Sequence, residues 1–363
     1  MSREIEKISL ALSGGGVRAI AFHAGLLRYL AKKGKLEQVK NISTVSGGSL
    51  LIGLIYSLNN NKFPTSEDYL ARISTDLKST LTSKSLLKTA LLRLFFRMKN
   101  WINLFSRALV LADALEKCWG INGKLKELPT IPVWSINATT AETGKRFRFK
   151  GKKMGEYTLG YADVGKFPLS HALAVSAAFP GGIGPLKIRK NTFFWEKKNS
   201  WDSEDNEITL KKNDTINLYD GGVYDNLGIE PLFDCGSQEF KIKGNEPFDY
   251  LIVSDAGFPL KAKPIPGIIN PLRFLRLFDF ALDQTRALRV RSFMNFIKNS
   301  KKGAYIYIGT YSMQKNENEY TFLTNESRNK VANYPTSLSK MNTSDFDEIE
   351  LQGFETAKAV INF

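Results

Sequence analysis

The run Ser43-Thr44-Val45-Ser46-Gly47-Gly48-Ser49 sits between an apolar, β-prone segment and the apolar segment 50–58. A chain that passes from strand to helix through a serine and two glycines has few folds open to it. This is the local pattern of a nucleophile elbow, which holds a serine hydroxyl exposed on a tight turn. Small residues are needed there because the backbone is crowded and the helix must begin at once. Ser-Gly-Gly also occurs in ordinary loops, so two other glycine motifs add weight. Leu12-Ser13-Gly14-Gly15-Gly16-Val17-Arg18 lies upstream, and Tyr219-Asp220-Gly221-Gly222 lies downstream. The three together point to a serine hydrolase.

Strands and helices alternate around these motifs. Segments 8–12, 41–45, 132–137, 146–150, 216–219, 250–254 and 305–309 read as strands. Segments 17–33, 50–58 and 170–179 read as helices, with Gly34 stopping the first and Pro180-Gly181-Gly182 the last. Such alternation predicts an α/β fold with a mostly parallel sheet covered on both faces. The polar stretch 196–214 reads as a surface insertion. Two basic, apolar segments interrupt the rhythm. One, 81–119, carries Phe95, Phe96, Trp101, Ile102, Leu104 and Phe105 among lysines and arginines. The other, 272–298, sets Arg273, Arg276, Arg286, Arg289 and Arg291 beside Phe274, Phe278 and Leu282. Each fits a helix packed on the domain with a basic outer face, or a helix lying in a membrane interface.

At 363 residues and 43% hydrophobic content the chain can bury a sizeable core, as one large domain or two smaller ones. No apolar run approaches the roughly 20 residues of a membrane span. The charged N-terminus lacks a signal-peptide core. Two cysteines, Cys118 and Cys235, make neither a disulfide framework nor a metal cluster, and they suit a reducing cytoplasm. Lys and Arg total 51 against 36 Asp and Glu, a formal charge of +15. That excess attracts phospholipid headgroups, nucleotides or nucleic acid without choosing among them.

A serine hydroxyl needs a base to accept its proton. The two histidines, His23 and His171, fall within helical segments, and neither follows a late strand as a triad histidine would. A carboxylate in contact with the serine can serve instead. Asp220 follows an apolar strand and precedes two glycines; Asp255, in Ser254-Asp255-Ala256-Gly257, is a weaker rival in the same setting. The oxyanion of acyl transfer needs preorganised N–H donors, which Gly14, Gly15 and Gly16 can supply before a helix N-terminus. Arg18 would support that loop. The run is neither GxxxxGK[ST] nor GxGxxG, so a phosphate-binding loop fits poorly.

Ser13-Gly14-Gly15-Gly16-Val17-Arg18, Thr44-Val45-Ser46-Gly47-Gly48, Ala174-Val175-Ser176-Ala177-Ala178-Phe179-Pro180-Gly181 and Asp220-Gly221-Gly222 resemble, in order, the motifs of the patatin-like phospholipases. The resemblance spans residues 8 to about 230. It implies a three-layer α/β/α fold with a helical cap, the cap falling in 81–119 and a C-terminal portion, 259–363, packed on the same single domain, 1–363. It implies a Ser46–Asp220 dyad, an oxyanion hole at Gly14–Gly16, and hydrolysis of membrane phospholipid esters at the inner face of the membrane. No cofactor, metal or nucleic acid is implied. Thr44 stands where the elbow pattern expects glycine, and Ala19 where glycine is common. The chain also resembles bacterial members that a cyclic nucleotide switches on in antiviral defence, and for these Arg286, Arg289 and Arg291 would bind the activator. A nucleotide-gated or membrane-binding module with minor hydrolysis, or an esterase of soluble esters, are the alternative functions. The segment 86–105 is expected to cap the site or touch the membrane.

Overall fold

A computed structural model describes residues 7–96, 107–180, 182–197, 206–207, 215–257, 260, 262, 264–267, 270, 272–310 and 323–361. The strands are β1 (Ile8–Leu12), β2 (Val39–Thr44), β3 (Val133–Thr140), β4 (Arg146–Lys150), β5 (Lys153–Glu156), β6 (Gly160–Asp163) and β7 (Leu186–Arg189). They continue as β8 (Trp195–Lys197), β9 (Asn206–Glu207), β10 (Thr215–Asp220), β11 (Phe233–Asp234), β12 (Glu239–Phe240), β13 (Tyr250–Asp255) and β14 (Gly303–Tyr307). The longer helices are α1 (Gly16–Lys32), α2 (Gly47–Leu58), α3 (Ser74–Ser83), α4 (Leu86–Phe96) and α5 (Arg107–Trp119), then α6 (Leu169–Ser176), α7 (Leu272–Ser300), α8 (Asn325–Ala332) and α9 (Thr343–Val360).

The centre of the sheet is the parallel run β14-β13-β1-β2-β3. Period-two alternation sorts its side chains into two cores. Ile8, Leu10, Leu12, Tyr250 and Ile252 join the larger core beneath α1, α2 and α9. Ala11, Leu251 and Val253 face the other way, onto Phe293 of α7 and Phe233. Helices on both faces make the three layers, and this is the α/β class that the alternation of elements predicts. Beyond β3 the sheet continues antiparallel through β4, β5, β6, β8 and β9. Of these strands only β4 is legible in the sequence, because the others are short and their half-buried positions show no strong period. The stretch read as a surface insertion contributes β8 and β9, while 198–205 and 208–214 lie outside the described residues.

One detail of the register places two motif residues together. β3 pairs with β4 over residues 135–139, with β2 over 133–136, and with β10 over 138–140. Since β4 overlaps both of the others, β2 and β10 must share the opposite edge of β3. They run in opposite directions, and their C-terminal ends point at each other: Thr44 lies opposite Ile136 and Asp220 opposite Ala138. The two strands therefore end about 7 Å apart, two residues along β3 at ~3.3 Å each. The elbow leaves β2 and the Asp-Gly-Gly turn leaves β10 at that gap.

Helix α6 closes the gap from the side. It ends at Ser176, three residues short of the expected Phe179. Its terminal carbonyls are used elsewhere: Ser46 N–H donates to Ser176 O at 3.1 Å, and Asp220 N–H to Ala178 O at 3.0 Å. Carbonyls left free at a helix C-terminus need such donors.

Helices α1 and α9 approach closely through facing glycines. A Cβ on Gly25 would collide with Glu350 O, and one on Gly353 with Phe22 O. Gly25→Ala and Gly353→Ala should each cost about 1–3 kcal/mol of stability through overpacking. Urea denaturation at unchanged m-value checks this; wild-type midpoints in both variants would refute it.

Candidate active site

Ser46 has φ 48° and ψ −116° and immediately precedes α2. That conformation is strained for a side chain with a Cβ and costs on the order of 1–3 kcal/mol unless its surroundings impose it. The surroundings do. Ser46 N–H is held by both the carbonyl and the hydroxyl of Ser176, each at 3.1 Å. A Cβ on Gly48 would lie 2.5 Å from Leu12 O, so only glycine lets α2 start this close to β1.

Beneath the elbow runs a buried chain of hydroxyls. Trp134 Nε1–H donates to Thr44 Oγ1 at 2.9 Å; Thr44 and Ser49 hydroxyls lie 2.8 Å apart, as do those of Ser49 and Ser176; and Ser176 donates to Asn137 O at 2.7 Å. The final acceptor sets the direction. Ser176 gives its proton to a carbonyl, so Ser49 must donate to Ser176 and Thr44 to Ser49. Thr44, the departure from glycine in the elbow pattern, is thus a full member of the support. Nothing local in the sequence marks Trp134 and Ser49 for this role, which depends on non-local contacts.

Asp220 is 3% exposed and lines the same cavity as Ser46. Burial pushes its carboxyl up to about 7, against the opposing pull of Gly222 N–H, 2.7 Å from Oδ1, and of a hydrogen bond from the Ser46 side chain. A carboxyl poised near neutrality beside a hydroxyl can take and return a proton.

The glycine loop forms the cavity's other wall. Three amide donors were expected from Gly14, Gly15 and Gly16, but Gly14 N–H donates to Asn226 O at 3.1 Å. Only the amides of Gly15 and Gly16 lack a partner among the described residues, and they sit at the N-terminus of α1, facing the cavity. Gly15 (φ 145°) and Gly16 (φ 61°) adopt backbone angles suited to glycine. Arg18 follows the loop in the first turn of α1. Its buried guanidinium donates to Ala256 O (2.9 and 3.2 Å) and Tyr334 O (2.6 Å), tying α1 to two other loops.

The cavity encloses about 580 Å³. Ser46, Asp220 and the glycine loop line one side; Phe179, Ile183, Leu260 and Leu338 add apolar walls. Helix α7 roofs it with Arg276, Asp279, Asp283 and Arg286, spaced i, i+3, i+7 and i+10 on one helical face.

A family model described as patatin-like phospholipase matches residues 10–233. The chain belongs to the patatin-like phospholipase family. Human GIVD cytosolic phospholipase A2 has a similar fold, with a TM-score of 0.54 at 13% identity, covering 99% of this chain and 60% of that one. The same human protein in complex with methyl γ-linolenyl fluorophosphonate and terbium chloride gives a TM-score of 0.50 at 13% identity, covering 99% and 59%. The present chain thus spans about 60% of the human chain's length. A search of curated protein sequences gave no match.

Within this patatin-like fold the other candidate residues have structural partners. His23 is buried between Ser254 Oγ (2.8 Å) and Ser13 O (3.1 Å). The Ser13 carbonyl can only accept, so Nε2 carries the proton and Nδ1 accepts from Ser254. Burial lowers its pKa to about 4 and keeps it neutral. His171 packs edge-on against Phe167. Neither histidine lines the cavity. Asp255, the rival carboxylate, is occupied by Arg286 (2.7 Å), Tyr305 OH (2.6 Å) and Gly257 N–H (2.8 Å).

The arginines expected to bind an activator do not form one cluster. Arg286 is paired with Asp255; Arg289 lies 3.6 Å from Asp225 and 3.8 Å from Glu230; Arg291 is exposed and bonds Ala287 O in its own helix. Helical spacing puts residues 286 and 289 on the inner face and 291 on the outer one, and acidic partners remote in sequence neutralise the inner pair. The motif read as AVSAAFP contributes Ser176, whose bond to the Ser46 amide no spacing rule would reveal.

The raised Asp220 pKa carries a stability cost with a defined sign. The folded state holds the proton more tightly than the unfolded chain, so this group favours folding below about pH 4, and that contribution is lost as pH climbs to about 7. Asp220→Asn should stabilise the protein at pH 8, by on the order of 4 kcal/mol at most, with little change at pH 3.5. Unfolding midpoints at the two pH values test this; a variant equally or less stable at pH 8 would contradict it.

Proposed function

We propose that the protein is a serine acyl hydrolase cleaving acyl esters of membrane phospholipids through a Ser46–Asp220 dyad. The observation that carries this reading is the buried Asp220 carboxyl, pushed up to about 7 and facing Ser46 in a cavity that no histidine lines. Ionised Asp220 accepts the Ser46 proton as Oγ attacks the ester carbonyl. The amides of Gly15 and Gly16, with the positive end of α1 behind them, stabilise the resulting oxyanion. On collapse Asp220 returns the proton to the departing alcohol, leaving an acyl-enzyme. Water then attacks the acyl-enzyme with Asp220 as base, the bond from Ser46 Oγ to the acyl carbon breaks, Asp220 returns the proton to Oγ, and the fatty acid leaves. Membership of the patatin-like phospholipase family and the apolar cavity walls support a lipid substrate.

A fluorophosphonate is the natural probe, given that the human relative is found in complex with one. Methyl γ-linolenyl fluorophosphonate should add covalently at Ser46 and at no other serine. Ser46→Ala and Asp220→Asn should each lower phospholipid turnover by about 10³-fold or more. For the wild type, kcat/KM should rise with pH through about 7 and level off above it. Labelling of another serine, or full activity in Asp220→Asn, would overturn the dyad.

The helical cap reading also finds support. No described helix is long and apolar enough to cross a membrane. Helix α4 exposes Leu87, Leu91 and Leu92 at 43%, 47% and 47%. Both flanks of the segment reach the cavity rim: Leu87 N–H bonds Leu338 O, and Arg107 Nη1 bonds Gly182 O at 3.0 Å. Residues 97–106, including Trp101, Ile102, Leu104 and Phe105, lie outside the described residues. With a formal charge of +15, the protein suits an anionic bilayer, with α4 as a contact. Replacing Leu91 and Leu92 by glutamate should weaken flotation with phosphatidylglycerol vesicles about fivefold or more, while soluble-ester turnover persists. Unchanged flotation would remove α4 from the contact surface. A cyclic-nucleotide switch is not carried forward, because its proposed arginines are not assembled into a site.

A further inference from the structure

A second groove lies beside the Ser46 cavity. It encloses about 500 Å³, and its walls include Thr139, Pro180, Tyr219, Val223, Phe274 and Phe278. That volume is within the range of small-molecule sites. Among the described residues no charged side chain lines it. Phe274 stands 74% exposed at its edge, a large apolar surface left in water.

The same backbone segments divide cavity from groove. Asp220 and Gly222 face the cavity, whereas Tyr219 and Val223 face the groove. Phe179 lines the cavity and Pro180 the groove, and the Phe179 ring meets the Phe278 ring at 6.2 Å between centroids. Helix α7 roofs both: the face bearing Arg276, Asp279 and Asp283 covers the cavity, and Phe274 and Phe278, one turn apart on another face, cover the groove. A glycerol backbone carries its two ester oxygens on adjacent carbons, so its chains can part across such a wall.

We propose that this groove receives the second acyl chain of the lipid whose scissile ester lies at Ser46, making a two-chain glycerolipid the preferred substrate. This rests on the hydrolase reading above. The uncharged lining excludes a headgroup phosphate as occupant. The groove's position directly across this wall from the cavity favours a chain from the same molecule over an independent ligand.

The test compares three substrates: dioleoyl phosphatidylcholine and oleoyl lysophosphatidylcholine in the same detergent micelles, and a soluble p-nitrophenyl ester. Val223→Trp fills the groove, and Phe274→Ser removes its exposed wall without disturbing a core. Both variants should lose roughly tenfold or more in kcat/KM on the two-chain lipid. Both should stay within about twofold of wild type on the lysolipid and the soluble ester. Because the micelles are the same, weakened interfacial binding would lower both lipids together. A parallel fall on both lipids in Phe274→Ser, or retained two-chain turnover in both variants, overturns the groove assignment. Wild-type protein that turns over none of the three overturns the hydrolase reading instead.

Discussion

The site depends on two strands of opposite direction ending on one edge of β3. β2 stops at Thr44 and β10 at Asp220, opposite residues 136 and 138 of their common neighbour. Neither backbone can slip without breaking its ladder, because a one-residue shift would turn buried side chains to the wrong face. The distance between elbow and carboxylate is therefore a property of the sheet and not of two flexible loops. The end of α6 and the turn after it lock the arrangement, Ser176 O accepting the Ser46 N–H and Ala178 O the Asp220 N–H.

Charge and burial then separate Asp220 from Asp255. Both are deeply buried, but Arg286 reaches Asp255 from α7 at 2.7 Å, whereas Arg289 stands 3.6 Å from Asp225, whose carboxyl burial still raises. Among the described residues Asp220 has N–H and O–H partners and no cation paired with it, so desolvation dominates and its carboxyl rises to about 7. The same helix that roofs the cavity thus sets an arginine beside Asp255 and another near Asp225.

Much of the site was legible because its requirements are local. A serine between a strand and Gly-Gly, a glycine run before a helix and Asp-Gly-Gly after a strand each report a backbone that only small residues permit. The histidines were also readable as structural from their place within helices, and His23 proves to be a buried bridge between β1 and β13. Less was legible where roles depend on partners distant in the chain. Gly14 looked equivalent to Gly15 and Gly16 until Asn226, over 200 residues later, claimed its amide. Arg286, Arg289 and Arg291 looked like one cationic cluster, but acidic groups from two other segments separate them. Beyond β4 the antiparallel wing is not legible, because short, half-buried strands leave a weak period.

The sequence by itself determined the α/β alternation, the strand–serine–helix turn and the residue types able to do acyl chemistry, since hydrophobic period and glycine placement act over a few residues. Only the tertiary structure decided that Ser46 and Asp220 face each other, that two glycine amides and not three are left without a partner among the described residues, and that Thr44 belongs to a hydroxyl chain running from Trp134 to Asn137. These facts depend on strand register and on which distant group reaches a donor first, and both are set by packing the whole chain.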